Sequence, residues 1–254
     1  MPSAHLGAAE SITRALSNGS QPVVLVRTVT GLEQLAAQEL AAASGAVPPS
    51  ERVDWRVVLD GKVLWVGVRP FDVPLHRRDW RRQTVPGSLH PPVAAAMACL
   101  AEIAAGQSVV DPFCGAGTVL LEARAIEPGA TYLGIDQAPA ALAAARANGF
   151  ASTRLGDAAD LGDAVDRIVT NPPWDVRVRI GDFSPYLRAW RRILQPDGRV
   201  VALLNQEQAA MIISDPGWRV LDVYDVAVAG RHPRIVVATC RTLSSGVLDI
   251  EENC

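Results

Sequence analysis

From Ser108 onward, short apolar runs alternate with segments of helical period, and the runs finish on acids or amides. Asp111 closes the first run, and Asp136, Asp157 and Asn171 stand just past the next three. Alternation of this kind leaves little choice of architecture. Consecutive strands joined by helices lie parallel, with the helices packed on both faces of the sheet. The expected strands are Ser108–Asp111, Thr131–Ile135, Thr153–Leu155, Asp166–Thr170 and Arg199–Leu204. The expected helices are Thr118–Ile126, Ala138–Asn148, Ser184–Leu194 and Gln206–Ile213. Two more apolar strands, Trp218–Val228 and Arg234–Cys240, follow with no helix between them, which places an antiparallel edge on the sheet. The fold class is therefore α/β: a doubly wound, mostly parallel seven-stranded sheet with an antiparallel edge strand.

Upstream, the pattern changes. Val23–Val29 reads as a strand and Leu32–Ala43 as an amphipathic helix. Val53–Leu59 and Lys62–Val68 alternate as a hairpin about an Asp60-Gly61 turn. This β-α-β-β order is a fragment of a ferredoxin-like α+β unit. The sequence divides into a small N-terminal α+β module over 1–75, a basic connector over 76–92, the main α/β domain over 93–242 and a tail over 243–254. A helix is expected from Pro91 to about Ala104.

With 49% hydrophobic and 20% charged residues the chain is globular in composition. Its net charge of -3 supplies no global field toward nucleic acid or an anionic membrane, so any nucleic-acid contact uses a local patch. Cys99, Cys114, Cys240 and Cys254 lack CxxC spacing, and no Cys/His cluster points to a metal. Four cysteines in a chain of this length read as reduced thiols in a cytoplasmic protein. No apolar run reaches the roughly 20 residues of a membrane span. The oligomeric state is not encoded in any pattern found here.

Asp111 to Thr118 lies at the carboxyl end of the first strand of the alternating region, where ligands of open α/β sheets bind. Gly115 and Gly117 allow a tight turn and close ligand approach. A dinucleotide fingerprint needs a third glycine, and Leu120 occupies that place. The Asp111 carboxylate would also repel a pyrophosphate seated at the helix N-terminus. It suits a cation. S-adenosylmethionine carries an ammonium and a sulfonium, and its own carboxylate can meet loop N–H groups. Asp136, 25 residues after Asp111, can accept from both ribose hydroxyls or serve as a helix N-cap. Asp157 can accept from the adenine amino group or simply end a turn.

Asn171-Pro172-Pro173-Trp174 stands beside that loop in a doubly wound sheet. An exocyclic amine conjugated to a ring is a poor nucleophile because its lone pair is delocalised. Two acceptors, the Asn171 side-chain oxygen and the Pro172 carbonyl, can engage both N–H bonds and localise that pair. Proline fixes the backbone and brings no donor. Trp174 offers a flat apolar face on which a base can stack. In isolation the same tetrapeptide is an ordinary strand-ending turn.

These residues resemble the class I methyltransferases that modify amino groups. More narrowly, Pro86-Gly87-Ser88-Leu89-His90-Pro91-Pro92-Val93-Ala94, followed by Asp111-Pro112-Phe113-Cys114-Gly115-Ala116-Gly117-Thr118, resembles the RNA-methylase family that includes THUMP-bearing tRNA guanine-N2 methyltransferases. The resemblance covers about residues 80–240 and implies a Rossmann-like methyltransferase domain. It implies that Asp111, Phe113, Cys114, Gly115, Gly117, Thr118, Asp136 with Gln137, and Asp157 with Ala158 bind S-adenosylmethionine. Ser88, His90 and Asn171 would border the same cofactor. Asn171, Pro172 and Trp174 would be catalytic, with Pro173 and Trp174 against the base. Only about 70 residues precede the connector, so the resemblance implies a chain without the THUMP domain.

The implied acceptor is guanine N2 of a tRNA or rRNA, the alternative being a small-molecule amine. Arg77, Arg78, Trp80, Arg81 and Arg82 are the candidate RNA contacts, since arginine beside an aromatic suits phosphates and stacked bases. Arg177, Arg179, Arg188, Arg191 and Arg192 form a second patch or a solvated helix face.

Overall fold

The structure, a computed structural model, describes residues 54–60, 63–69, 77–174, 181–228 and 230–241. Strands β1 (Asp54–Asp60) and β2 (Val63–Arg69) pair antiparallel with Asp60 opposite Val63. The ladder thus reaches one residue further than expected, and Asp60 belongs to the strand rather than to the turn. The strand expected over Val23–Val29 and the helix over Leu32–Ala43 lie outside the described residues.

The second sheet is built as the alternation demands. Its strands are β3 (Ser108–Asp111), β4 (Thr131–Asp136), β5 (Thr153–Leu155), β6 (Val165–Thr170), β7 (Leu194–Leu204), β8 (Trp218–Asp225) and β9 (Arg234–Cys240), in the order β5-β4-β3-β6-β7-β9-β8. The first five are parallel neighbours; β9 runs antiparallel to both β7 and β8. The helices are α1 (Pro91–Leu100), α2 (Thr118–Ile126), α3 (Pro139–Ala147), α4 (Ser184–Ile193) and α5 (Gln206–Ser214). The chain lays β4 and β5 on one side of β3, then crosses back to place β6 and β7 on the other. That reversal opens a crevice at the carboxyl ends of β3 and β6, where ligands of such sheets settle. Asp111 and Asn171 stand at its two lips.

Period-two alternation sorts the strands onto two cores. Val109, Val169, Val201, Leu203, Ile235 and Val237 face the layer that contains α1 and α2. Val110, Ile168, Val200, Ala202, Leu204, Val236 and Ala238 face α4 and α5. Trp190, fully buried on α4, anchors the second layer, with Phe183 edge-on at 5.4 Å. Among the described residues no helix is long and apolar enough to cross a membrane.

Two elements end well short of where the sequence places them, by more than a single residue. Helix α1 stops at Leu100 because Glu102 adopts a φ of 46° and two distant arginines take the last carbonyls. Arg199 donates to Leu100 O, and Arg167 to Ala101 O and Glu102 O. These bonds replace the intrahelical partners that the helix end lacks. Strand β8 ends at Asp225, the last residue paired with β9, rather than at Val228.

Candidate active site

The loop from β3 to α2 is shaped by two left-handed glycines, Gly115 at φ 52° and Gly117 at φ 78°. Cys114 N–H donates to Ile135 O at 2.9 Å, and Gly117 N–H closes the turn on Cys114 O at 2.8 Å. A Cβ on Gly117 would stand 3.3 Å from both Ala145 and Phe150, so the helix it caps can approach α3 only without one. The third small residue of the site is Gly134 on β4. A Cβ there would meet Cys114 Sγ at 2.9 Å and Leu120 Cδ1 at 3.2 Å. Leu120 is therefore accommodated from across the sheet. The Cys114 side chain lies buried beneath the loop, facing Gly134. Burial, with Asp111 and Asp136 nearby, pushes the Cys114 thiol well above its ordinary pKa.

Asp111 is 1% exposed, and its Oδ1 accepts from Thr170 Oγ1 at 2.7 Å and from Phe113 N–H at 3.0 Å. Both bonds end on one oxygen, and Oδ2 takes part in neither. Burial pushes this carboxyl up to about 7, against the pull of those two donors and with help from the Asp136 charge. Asp136 accepts from Gly115 N–H through Oδ2 and from Ala138 N–H through Oδ1, each at 2.9 Å. It is not the N-cap of α3, a position held by Ala138. Its carboxylate instead ties the glycine loop to the turn after β4, and each oxygen keeps a lone pair. Gln137 is exposed beside it. Asp157, also exposed, accepts from Ala159 N–H at 2.8 Å in a turn whose buried member is Ala158. It borders a depression with Gly156, Ile135 and Leu155 but bonds to none of the residues above.

At the end of β6, Asn171 Nδ2 donates to Gly87 O at 3.3 Å. Its Oδ1 is buried and has no partner among the described residues. Pro172 is buried behind it. Trp174 lies half-buried on the first core, its Nε1–H donating to Leu203 O at 3.0 Å. The tryptophan is thus pinned by its polar edge and keeps its apolar ring partly open.

Gly87 belongs to the connector, which the structure turns into a strap across the site. Arg78 makes a bidentate pair with buried Glu122 of α2, at 2.7 and 3.0 Å. Trp80 packs half-buried on the first core. Arg81 is partly buried, and desolvation lowers its pKa against the pull of Glu122. Of the residues expected to touch RNA, Arg78 is instead a structural anchor, while Arg77 and Arg82 are exposed. Ser88 Oγ accepts from Val85 N–H in a local turn, and His90 is the N-cap of α1. In the second arginine patch, Arg191 pairs with Asp215 and Arg192 holds the carbonyls of Ala159 and Leu161. Arg188 is exposed. Arg177 and Arg179 lie outside the described residues.

The clamp that sequence reasoning overlooked is Asn148. Buried after α3, it accepts from Arg82 N–H and Gln83 N–H and donates to Gln83 O and Ala116 O, all between 2.8 and 3.0 Å. One amide thus joins strap to glycine loop. Asn148→Leu leaves those groups unpaired and is expected to cost about 1–3 kcal/mol. Thermal unfolding should record the loss, and limited proteolysis should open the strap near Arg82.

The family model described as RMKL-like, methyltransferase domain matches residues 78–234. A tRNA (guanine(6)-N2)-methyltransferase of Thermus thermophilus is 34% identical over 204 residues, covering 74% of this chain and 60% of that protein. The U6 snRNA (guanine-N(2))-methyltransferase THUMPD2 of Bos taurus is 33% identical over 154 residues, covering 56% of this chain and 30% of that one. This chain therefore spans less than two thirds of the curated relatives it matches. The crystal structure of TrmN from Thermus thermophilus superposes with a TM-score of 0.63 and 28% identity, over 87% of this chain and 70% of its own.

Proposed function

The chain belongs to the RMKL-like methyltransferase family, and from that premise we propose that it methylates an exocyclic amine, guanine N2 of a tRNA or rRNA, with S-adenosylmethionine as donor. The observation that carries this reading is the Asn171 side-chain oxygen, a buried acceptor with no donor among the described residues. An orphaned buried acceptor is costly, and an incoming N–H would relieve it. The Pro172 carbonyl is the second acceptor for the amine, and Trp174 is the surface for the base.

The residues present also fit the donor. Asp111 offers a carboxylate oxygen to a cation, the glycine loop offers close backbone approach, and Asp136 retains acceptor capacity beside it. Bound there, S-adenosylmethionine supplies an electrophilic methyl group on a cationic sulfur. The chain's own contribution is alignment: Asn171 and Pro172 hold the amine so that its lone pair faces the methyl carbon. Asn171 takes no proton; the amine proton leaves to solvent after transfer. Relatives named for guanine-N2 methylation of tRNA and U6 snRNA support RNA as the acceptor, and Arg77 and Arg82 are exposed on the strap whose Gly87 meets the corner.

Tritiated methyl transfer into fractionated cell material tests this reading. Label is expected in tRNA or rRNA at a guanine; label confined to metabolites would replace the RNA acceptor with a small amine. RNA binding should also weaken steeply between low and moderate salt.

The raised Asp111 carboxyl adds a pH signature. Its folded pKa of about 7 lies above the ordinary 3.8, so in the unliganded protein this group favours folding most at low pH. That contribution fades as pH rises from about 4 to about 7. A cationic ligand favours the carboxylate. Binding of S-adenosylmethionine at pH 6 is therefore expected to release a proton, seen as heat that depends on the ionisation enthalpy of the buffer. Affinity should climb with pH and level off above about 7. Asp111→Asn should abolish both effects; persistence of the proton release would assign it to another group.

A further inference from the structure

Helix α5 begins with a capping box. Asn205 Oδ1 accepts from Gln208 N–H at 2.8 Å, and Gln208 Oε1 accepts from Asn205 N–H at 3.1 Å. Such a box needs only side-chain oxygens, which Asp, Ser or Thr at the first place and Glu at the second supply equally well. Here both residues are amides, and both leftover NH2 groups turn the other way. Gln208 Nε2 donates to Pro173 O at 2.8 Å, and Asn205 Nδ2 to Trp174 O at 3.5 Å. Gln208 is 3% exposed, so its donor is not shared with bulk water.

We propose that Asn205 and Gln208 are positioning residues for methyl transfer, holding the Asn171–Trp174 corner in its working geometry. The inference rests on the amine-binding reading of that corner. Proline locks φ at positions 172 and 173, so the remaining freedom of the tetrapeptide lies in its peptide-plane rotations. Gly87 O fixes the near end through Asn171 Nδ2. Gln208 fixes the far end through Pro173 O, Asn205 Nδ2 reaches the next carbonyl at the longer distance of 3.5 Å, and Leu203 O holds the Trp174 ring. Leu203, Asn205 and Gln208 all sit at the β7–α5 junction, so ring and backbone are referred to one rigid support. The same two bonds occupy the carbonyls of Pro173 and Trp174. An incoming amine is left with Asn171 Oδ1 and the Pro172 carbonyl, the pair aimed by the corner.

The test uses Asn205→Asp and Gln208→Glu in the full chain. Each keeps the oxygen that caps α5 and replaces the NH2 that holds the corner. The expected result is a kcat lowered by about tenfold or more, with the KM for RNA and the Kd for S-adenosylmethionine unchanged, because a displacement near 1 Å suffices for such a loss. The unfolding midpoint of Asn205→Asp should stay near the wild type, since Asp caps as well as Asn. A second readout needs no turnover. The 15N-indole resonance of Trp174, assigned by its disappearance in Trp174→Phe, should shift in both variants. A Trp174 resonance that does not move, or a kcat within about twofold of wild type, overturns the proposal. Should the buried carboxylate of Gln208→Glu prevent folding, Asn205→Asp decides alone. Should the wild type methylate no RNA offered, the resonance decides. Asn171→Ala run in parallel separates the two ideas. If it stays active, the reading of the corner falls; if it alone loses turnover, only this inference falls.

Discussion

Replacing Asn171 with alanine is expected to lower kcat by roughly 10²–10³-fold, the range seen when one preorganised polar contact to a reacting group is deleted. Affinity for S-adenosylmethionine should stay near the wild type. The asymmetry follows from the geometry. Asp111, Gly115 and Asp136 are bonded to one another's loops and not to the Asn171 side chain. Thr170, the neighbour of Asn171, reaches Asp111 through its own hydroxyl, which the substitution leaves intact. What the alanine removes is an acceptor unpaired among the described residues and the tie to Gly87 O. Equilibrium titration with the cofactor and single-turnover methylation separate the two quantities. Unchanged turnover would mean that the amine is held elsewhere than at this corner.

The largest expected effect on stability comes from Arg78→Ala. Glu122 is 5% exposed, and its carboxylate is met by both arms of the Arg78 guanidinium. Removing one member of a buried pair strands the other, at about 3–5 kcal/mol. For a domain of this size that is roughly a 10 °C fall in Tm. Arg81, also drawn by the Glu122 charge, places the value toward the lower end. Arg78→Met combined with Glu122→Leu should recover most of the loss, because no charge is then left unpaired. A single-variant cost under about 1 kcal/mol would show that water or Arg81 satisfies Glu122 unaided. RNA affinity per folded molecule serves as the control. It should change little in Arg78→Ala, because the guanidinium is turned to α2 rather than to solvent.

That contrast between Arg78 and Arg77 shows where reading residues in order stops being informative. A run of arginines announces charge, but whether a given guanidinium faces solvent depends on what folds against it, and Glu122 lies 44 positions away. The same holds for Asn148, whose partner Gln83 is 65 positions upstream. It holds for Gln208, 35 positions past the carbonyl it grips. Asn148 stands in no pattern that marks it, and the Asn205-x-x-Gln208 spacing marks a helix start rather than a grip on Pro173 O. The missing third glycine in the cofactor loop had a comparable answer. The space that Leu120 needs is made by Gly134 on the neighbouring strand, a relation visible only once β3 and β4 are in register.

The order and type of the elements from Pro91 to Cys240, the parallel sheet with its antiparallel edge, and the placement of Asp111 and Asn171 at adjacent strand ends are all properties of the sequence alone. They arise from local forces: period-two and period-3.6 burial, glycine at positive φ, proline at turns. The raised Asp111 carboxyl, the orphaned Asn171 oxygen, the conversion of the connector into a strap and the support of the corner by α5 were decided by tertiary structure. Desolvation and hydrogen-bond pairing depend on which distant groups exclude water from a given atom, and that is settled only when the layers close on one another.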